Sequence, residues 1–112
     1  MTAYTHMQRL AKALRESEAG KAYGADQGCR MEAWPAWKTA NWNGSNAPSI
    51  AWEEGPYEWA VSFSLNDGEK FGDSDGYQLD TDEATRKAYR EMRNDGFFLE
   101  CSTSWMVTAY RC

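Results

Sequence analysis

An acidic stretch at residues 73–76, Asp-Ser-Asp-Gly, carries the side chains of this sequence that best suit a bound cation. A helix–loop–helix calcium site arranges oxygen ligands at fixed spacings around one glycine. With Gly76 as that glycine, Phe71 falls where the first oxygen ligand is required, and Asp82 falls where a bidentate glutamate closes the site. The stretch therefore indicates an acidic, solvated loop. We expect no metal site, and a loose, low-affinity calcium loop is the alternative.

Acid–base or nucleophilic catalysis needs partner groups that this sequence does not place near one another. His6 is the only histidine, and its neighbours in sequence do not make it a base or a ligand. Glu53 and Glu58 could form the carboxylate pair of a glycosidase. A chain of 112 residues, however, has little room for a deep substrate cleft beside a complete core. We therefore expect a protein that is not an enzyme, with no catalytic residues and no cofactor.

The three cysteines, Cys29, Cys101 and Cys112, are far apart in sequence and form no C-x-x-C pair. This spacing disfavours a disulfide framework or a zinc site and fits a reducing compartment. The first residues lack the basic start and apolar run of a secretory signal. No apolar stretch approaches the roughly 20 residues of a membrane span. We expect a cytoplasmic protein with no membrane contact.

The six tryptophans fall into two groups by their sequence context. Trp52, Trp59 and Trp105 are in phase with other apolar residues, which predicts that they lie in the core. The other three belong to a stretch rich in Gly, Asn, Ser and Pro; they are Trp34, Trp37 and Trp42. These three either anchor that stretch to the core or form an exposed contact surface, since tryptophan is enriched at the centres of protein interfaces.

Negative charge is concentrated in the middle of the chain. The protein has 17 acidic and 12 basic side chains, a net charge of −5 and a pI of about 4.8. Residues 50–83 contain ten acidic side chains against Lys70 alone, a local net charge of −9. Affinity for phosphate backbones comes mainly from cationic side chains, so we expect no direct nucleic-acid binding. The concentrated charge either aids solubility or forms an acidic surface for a positively charged partner.

Hydrophobic periodicity divides the chain into two helices and several strands. Helical spacing covers residues 3–18 and 80–94, and Ala84, Ala88, Tyr89 and Met92 form the apolar stripe of the second helix. Residues 20–49 indicate an irregular segment. Alternation predicts strands at residues 49–53, 57–65, 97–102 and 105–110, with a weak return strand between 70 and 79. In the last strand Trp105, Val107 and Ala109 alternate with Met106, Thr108 and Tyr110.

These elements predict an α+β fold in one domain, residues 1–112. The simplest arrangement that buries every apolar stripe is an antiparallel sheet of about four to five strands with two helices packed on one face.

In length, acidity, aromatic content and lack of a catalytic signature, the whole chain resembles the small phage-encoded inhibitors of bacterial defence, the anti-CRISPR proteins among them. Many of those proteins block nucleic-acid sites of CRISPR effector complexes by steric or electrostatic means. The resemblance implies a protein partner with a basic groove, such as a CRISPR effector subunit, in the cytoplasm of a host bacterium. It assigns a role to no individual residue.

The charge pattern and the aromatic stretch together predict the partner-binding residues. They are Glu53, Glu54, Glu58, Asp67, Glu69, Asp73 and Asp75 as the acidic contact, with Trp34, Trp37 or Trp42 as an apolar anchor. Carboxylates spaced along a surface can imitate a phosphate track and speed association with a basic groove. The alternative function is a small ligand-binding domain or enzyme in which the tryptophan-rich stretch and an acidic residue line a pocket.

Overall fold

A computed structural model of the chain describes residues 1–17, 21, 31–52, 83–103 and 106–111. The described elements, in chain order, are α1 (Ala3–Glu16), β1 (Glu32–Trp34), α2 (Ala36–Asn43), β2 (Ser49–Ala51), α3 (Glu83–Asn94), β3 (Phe97–Thr103) and β4 (Met106–Arg111). The fold is α+β, as the sequence predicts. The strand expected at 57–65, the weak return strand between 70 and 79 and most of the negatively charged residues 50–83 lie outside the described residues.

Helix α1 begins and ends at side chains that satisfy its terminal backbone groups. The Thr2 hydroxyl accepts a hydrogen bond from the backbone N–H of Thr5 at 3.1 Å. At the other end, the Ser17 hydroxyl donates to the Leu14 carbonyl at 2.7 Å, and the Ser17 N–H donates to Ala13. The helix therefore ends slightly before residue 18. Of the apolar stripe that the helical spacing predicts, Met7, Leu10, Ala11 and Leu14 are buried and Tyr4 is half-buried.

Helix α3 buries a face that differs by one position from the predicted stripe. Ala88, Tyr89 and Met92 are buried as expected, but Ala84 is exposed and Thr85 is buried instead. The prediction for Ala84 is wrong because α3 lies against α1 as well as against the sheet. This packing turns Ala84 toward a surface groove between the two helices.

The four described strands form an antiparallel sheet in the order β1-β2-β4-β3. Ala33, Ile50 and Val107 stand side by side across the first three of these strands. They pack into the core that α1 and α3 cover, together with the buried Trp52. The two predicted helices thus share one face of the sheet and one apolar core.

The opposite face of the sheet is also covered, which the sequence analysis did not predict. Met106 and Thr108 alternate with Val107 and Ala109 along β4, yet all four are buried. Ser49 on β2 is directly opposite Thr108 and is buried as well. Helix α2 contacts this face at one point, where its Thr39 side chain reaches Ser49. The interpretation of residues 20–49 as irregular is therefore wrong for 32–43, which form a strand and a helix.

Among the described residues, α1, α2 and α3 are all too short or too polar to cross a bilayer as a helix.

Candidate interaction surface

Helix α2 has well-defined ends within a short connection between two paired strands. Pro35 precedes it in an extended conformation, and its carbonyl accepts hydrogen bonds from the N–H groups of Lys38 and Thr39. Gly44 ends the helix in the left-handed region, at φ 83°, which a residue without a side chain adopts at little cost. Both boundaries are therefore encoded locally, and they set the length of α2 at eight residues.

A chain of buried hydroxyl groups attaches α2 to the sheet. The Thr39 hydroxyl donates to Ser49 Oγ at 3.1 Å, and Ser49 shares a hydrogen bond of 2.9 Å with Thr108. Thr108 is also hydrogen-bonded to Ser102 on β3. Buried hydrogen bonds contribute about 0.5–1.5 kcal/mol each, and they are directional. This network therefore orients α2 as well as holding it against the sheet.

The orientation of α2 places two indoles in solvent. Trp37 is 66% exposed and Trp42 is 49% exposed. Each residue of an α-helix turns the side chain by about 100°, so Trp37 points roughly away from the buried Thr39. Of the two interpretations of these tryptophans, core anchoring is wrong for this pair, because both side chains are exposed. Their role as a contact surface stays a prediction. The buried side chain of α2 is that of Thr39, which bonds to the sheet.

Half-buried aromatic side chains border the exposed pair. The Lys38 ammonium lies 4.5 Å from the ring centre of the half-buried Trp34, which is a cation–π contact. Beyond the end of α2, Ser45 Oγ lies 3.2 Å from the hydroxyl of Tyr110. The Tyr110 ring is 5.9 Å from that of Phe98 on the neighbouring strand. We refer to Trp34, Trp37, Lys38 and Trp42 together as the indole surface.

The acidic part of the predicted interface cannot be compared with the structure. It comprises Glu53, Glu54, Glu58, Asp67, Glu69, Asp73 and Asp75, all outside the described residues. The described part of the chain has the opposite sign. It contains ten lysines and arginines against six aspartates and glutamates, a formal charge of +4. The net negative charge of the protein therefore comes from residues outside the described ranges.

Among the described residues, the structure brings together a histidine and a carboxylate that sequence reasoning did not connect. His6 on α1 is buried, and its Nε2 lies 2.6 Å from Oδ2 of Asp95, in the turn between α3 and β3. The hydrogen bond to His6 is the main cause that lowers the pKa of Asp95 below its ordinary value. The His6 ring also packs 5.9 Å from the Phe97 ring. No spacing pattern could have found this pair, because 89 positions separate its members.

Within the described ranges, no group of three or more His, Cys, Asp and Glu side chains is arranged to hold a metal ion. The chain matches no known protein-family model, no curated protein and no solved structure.

Proposed function

We propose that this protein is a non-catalytic binding protein whose indole surface contacts a protein partner. The observation that carries the proposal is the exposure of Trp37 and Trp42 on a helix fixed by buried hydrogen bonds. Tryptophan at the centre of an interface can contribute 2 kcal/mol or more, on the order of the largest single-residue effects in binding. A pair of exposed indoles therefore supplies a strong apolar anchor.

The attachment of α2 to the sheet supports the proposal, because its exposed side chains are already held in place before a partner binds. Ordering a loop or a long side chain on binding costs free energy, and a helix already held in place avoids much of that cost. The Thr39–Ser49–Thr108 hydrogen bonds supply this support from beneath the helix. An indole also has few rotatable bonds, so Trp37 and Trp42 lose little side-chain entropy when a partner covers them.

We further propose that the partner presents a basic groove, such as the nucleic-acid-binding groove of a bacterial defence complex. The concentration of negative charge in residues 50–83 supports this choice of partner, because opposite charges steer association. The likeness in size, acidity and aromatic content to anti-CRISPR inhibitors agrees with it. In this proposal the acidic stretch faces the basic groove and the indole surface provides the apolar anchor, and the protein acts in the bacterial cytoplasm.

The proposal is tested by affinity capture from a bacterial lysate at low and high salt. The variant Glu53/Glu58/Asp73/Asp75→Lys should lose a partner that the wild type captures at low salt. The matched control reverses four acidic residues outside residues 50–83, Glu16/Glu18/Glu32/Glu100→Lys, and it changes the net charge equally. The control should retain the partner. Equal capture by all three proteins, or capture that does not depend on salt, would contradict the acidic contact.

The anchoring role of the indoles requires a separate variant. Trp37→Ala/Trp42→Ala should release the captured partner, with a loss of affinity on the order of 30-fold or more. The control is Tyr4→Ala, which removes a half-buried aromatic side chain from α1 on the other side of the sheet. If the double tryptophan variant binds as tightly as the control, α2 is not the anchor.

A further inference from the structure

A surface groove runs between α1 and α3, on the side of the sheet opposite to the indole surface. It has a volume of about 300 Å³. The two helices lie antiparallel, because His6 near the start of α1 contacts Asp95 after the end of α3, and Arg9 contacts Glu91 one turn further along. Ala13, Ala84 and Ala88 line the groove. Their small side chains leave the depression open.

Two lysines border this groove. Lys12 on α1 and Lys87 on α3 line it and are both exposed. Arg9 is already paired with Glu91, at 3.0 Å. Within the described part of the chain, Lys12 and Lys87 form no ion pair within 4 Å. The charged residues that line the groove are three cations and two carboxylates, so the lining has a formal net charge of +1 that a negatively charged group would neutralise.

We propose that this groove binds an acidic segment of a protein partner. Carboxylates of the segment would pair with Lys12 and Lys87, and a small apolar side chain between them would lie on Ala84 and Ala88. The exposure of Ala84 supports this inference, because an apolar helix position that the core does not use is available to a partner.

The charges around the groove favour a protein segment over a nucleic acid. Glu16 and Glu91 line the same groove as the lysines, and Glu83 lies one residue before Ala84. A continuous phosphate backbone would be repelled by these carboxylates. A peptide can place its acidic side chains only where cations face it. The proposal goes beyond the proposed function. It concerns the other face of the sheet, and its partner segment is acidic, whereas the partner in the proposed function has a basic groove.

The test uses two fluorescent probes of similar negative charge. One is a peptide of repeating Glu-Ala units, and the other is a single-stranded DNA oligonucleotide of mixed sequence. We expect saturable binding of the peptide at low salt, measured by fluorescence anisotropy. We also expect amide chemical-shift changes confined to α1 and α3 in an ¹⁵N-labelled protein. The charge-reversal variant Lys12→Glu/Lys87→Glu should weaken peptide binding on the order of tenfold or more.

Two further variants separate a defined site from general attraction. Lys21→Glu/Arg111→Glu makes the same change in net charge at exposed positions outside the groove, and it should leave peptide affinity within about twofold of the wild type. Ala84→Phe leaves the charge unchanged, fills the groove at an exposed position and should also weaken binding. Equal weakening by both charge variants, or no effect of Ala84→Phe, would overturn the proposal.

Tighter binding of the DNA through the same residues would identify a nucleic-acid site and would also overturn the proposal. Failure here is distinguishable from failure of the proposed function, because that function is tested with Trp37, Trp42 and the acidic stretch, none of which these variants change.

Discussion

The contact between His6 and Asp95 ties the first turn of α1 to the turn that follows α3. The Asp95 side chain is 45% exposed, whereas that of His6 is buried. The pair therefore links an interior ring to a carboxylate at the surface. We interpret it as a structural link, because within the described residues no nucleophile is placed against His6 by a hydrogen bond. Together with the Arg9–Glu91 ion pair, it aligns α1 with α3.

Replacing Asp95 by asparagine should lower the melting temperature at neutral pH. Because folding lowers the pKa of Asp95, its contribution to stability is present above the ordinary value of 3.8. That contribution is lost as the pH falls through the lowered pKa of the folded state. The difference in melting temperature between wild type and Asp95→Asn should therefore shrink in acid, as thermal unfolding over a pH series would show. Glu100→Gln, which removes an exposed carboxylate, is the control, and a difference that is constant with pH would contradict the assignment.

The buried hydroxyl network makes a second prediction at the scale of single residues. Thr108→Val keeps the shape of the side chain but removes the partner of Ser49 and Ser102, so it should reduce the free energy of unfolding by about 1–3 kcal/mol. Adding Ser49→Ala should cost less in this background than in the wild type, because the buried serine hydroxyl is then already deprived of one partner. Urea unfolding of the two single variants and the double variant measures this coupling. Strictly additive losses would show that the network is not energetically connected.

At the scale of elements, α2 differs from α1 and α3 in what it buries. The two longer helices contribute apolar stripes to one core, whereas α2 bonds to the sheet through Thr39 and leaves Trp37 and Trp42 exposed. A helix that buries hydroxyl groups and exposes indoles is poorly explained by folding alone, since the apolar surface that it could bury is left in water. The exposure of the indoles, with a threonine buried in their place, is the reason for proposing a binding role for α2.

The exposure of the α2 indoles predicts a separation between stability and binding. Trp37→Ala should change the free energy of unfolding by about 0.5 kcal/mol or less, as surface substitutions do, and Trp42→Ala should cost more, because about half of that side chain is covered. Trp52→Ala, at a fully buried indole, should reduce it by about 3–5 kcal/mol. Chemical denaturation of the three variants gives this comparison. A loss at Trp37 as large as that at Trp52 would place Trp37 in the core and remove the basis of the indole surface.

At the scale of the whole molecule, the sheet separates two surfaces of different chemistry. The indole surface lies on one face, and the groove bordered by Lys12 and Lys87 lies on the other. The strands of this sheet are packed on both sides, so neither surface needs to rearrange when the other is occupied. The protein could therefore contact two components of one assembly, or two regions of one partner, at the same time.

The separation predicts that the two surfaces act independently. Lys12→Glu/Lys87→Glu should leave capture of the partner by the indole surface unchanged, and Trp37→Ala/Trp42→Ala should leave binding of the Glu-Ala peptide unchanged. Sites that share no residues have effects that add, to within about 0.5 kcal/mol. Titrations of a variant that combines both pairs of substitutions, with each ligand in turn, would check this additivity. A large coupling would mean that both ligands compete for one surface.

The sequence by itself determined the α+β class, helices α1 and α3 and the hairpin of β3 and β4. The helices and strands of this part of the fold carry clear periods of apolar residues, and such periods are local properties of the chain. The same reasoning missed α2, because its residues form no apolar stripe: the buried side chain of this helix is that of Thr39, and the indoles of Trp37 and Trp42 are exposed.

Only the tertiary structure decided which side chains meet across the molecule. The pairing of His6 with Asp95, the exposure of Ala84 and the position of Lys12 and Lys87 along one groove all follow from the antiparallel packing of α1 against α3. The outward orientation of Trp37 follows from the hydrogen bonds beneath α2. These arrangements depend on contacts between residues distant in sequence, where burial and hydrogen bonding are settled by packing and no local pattern records the outcome.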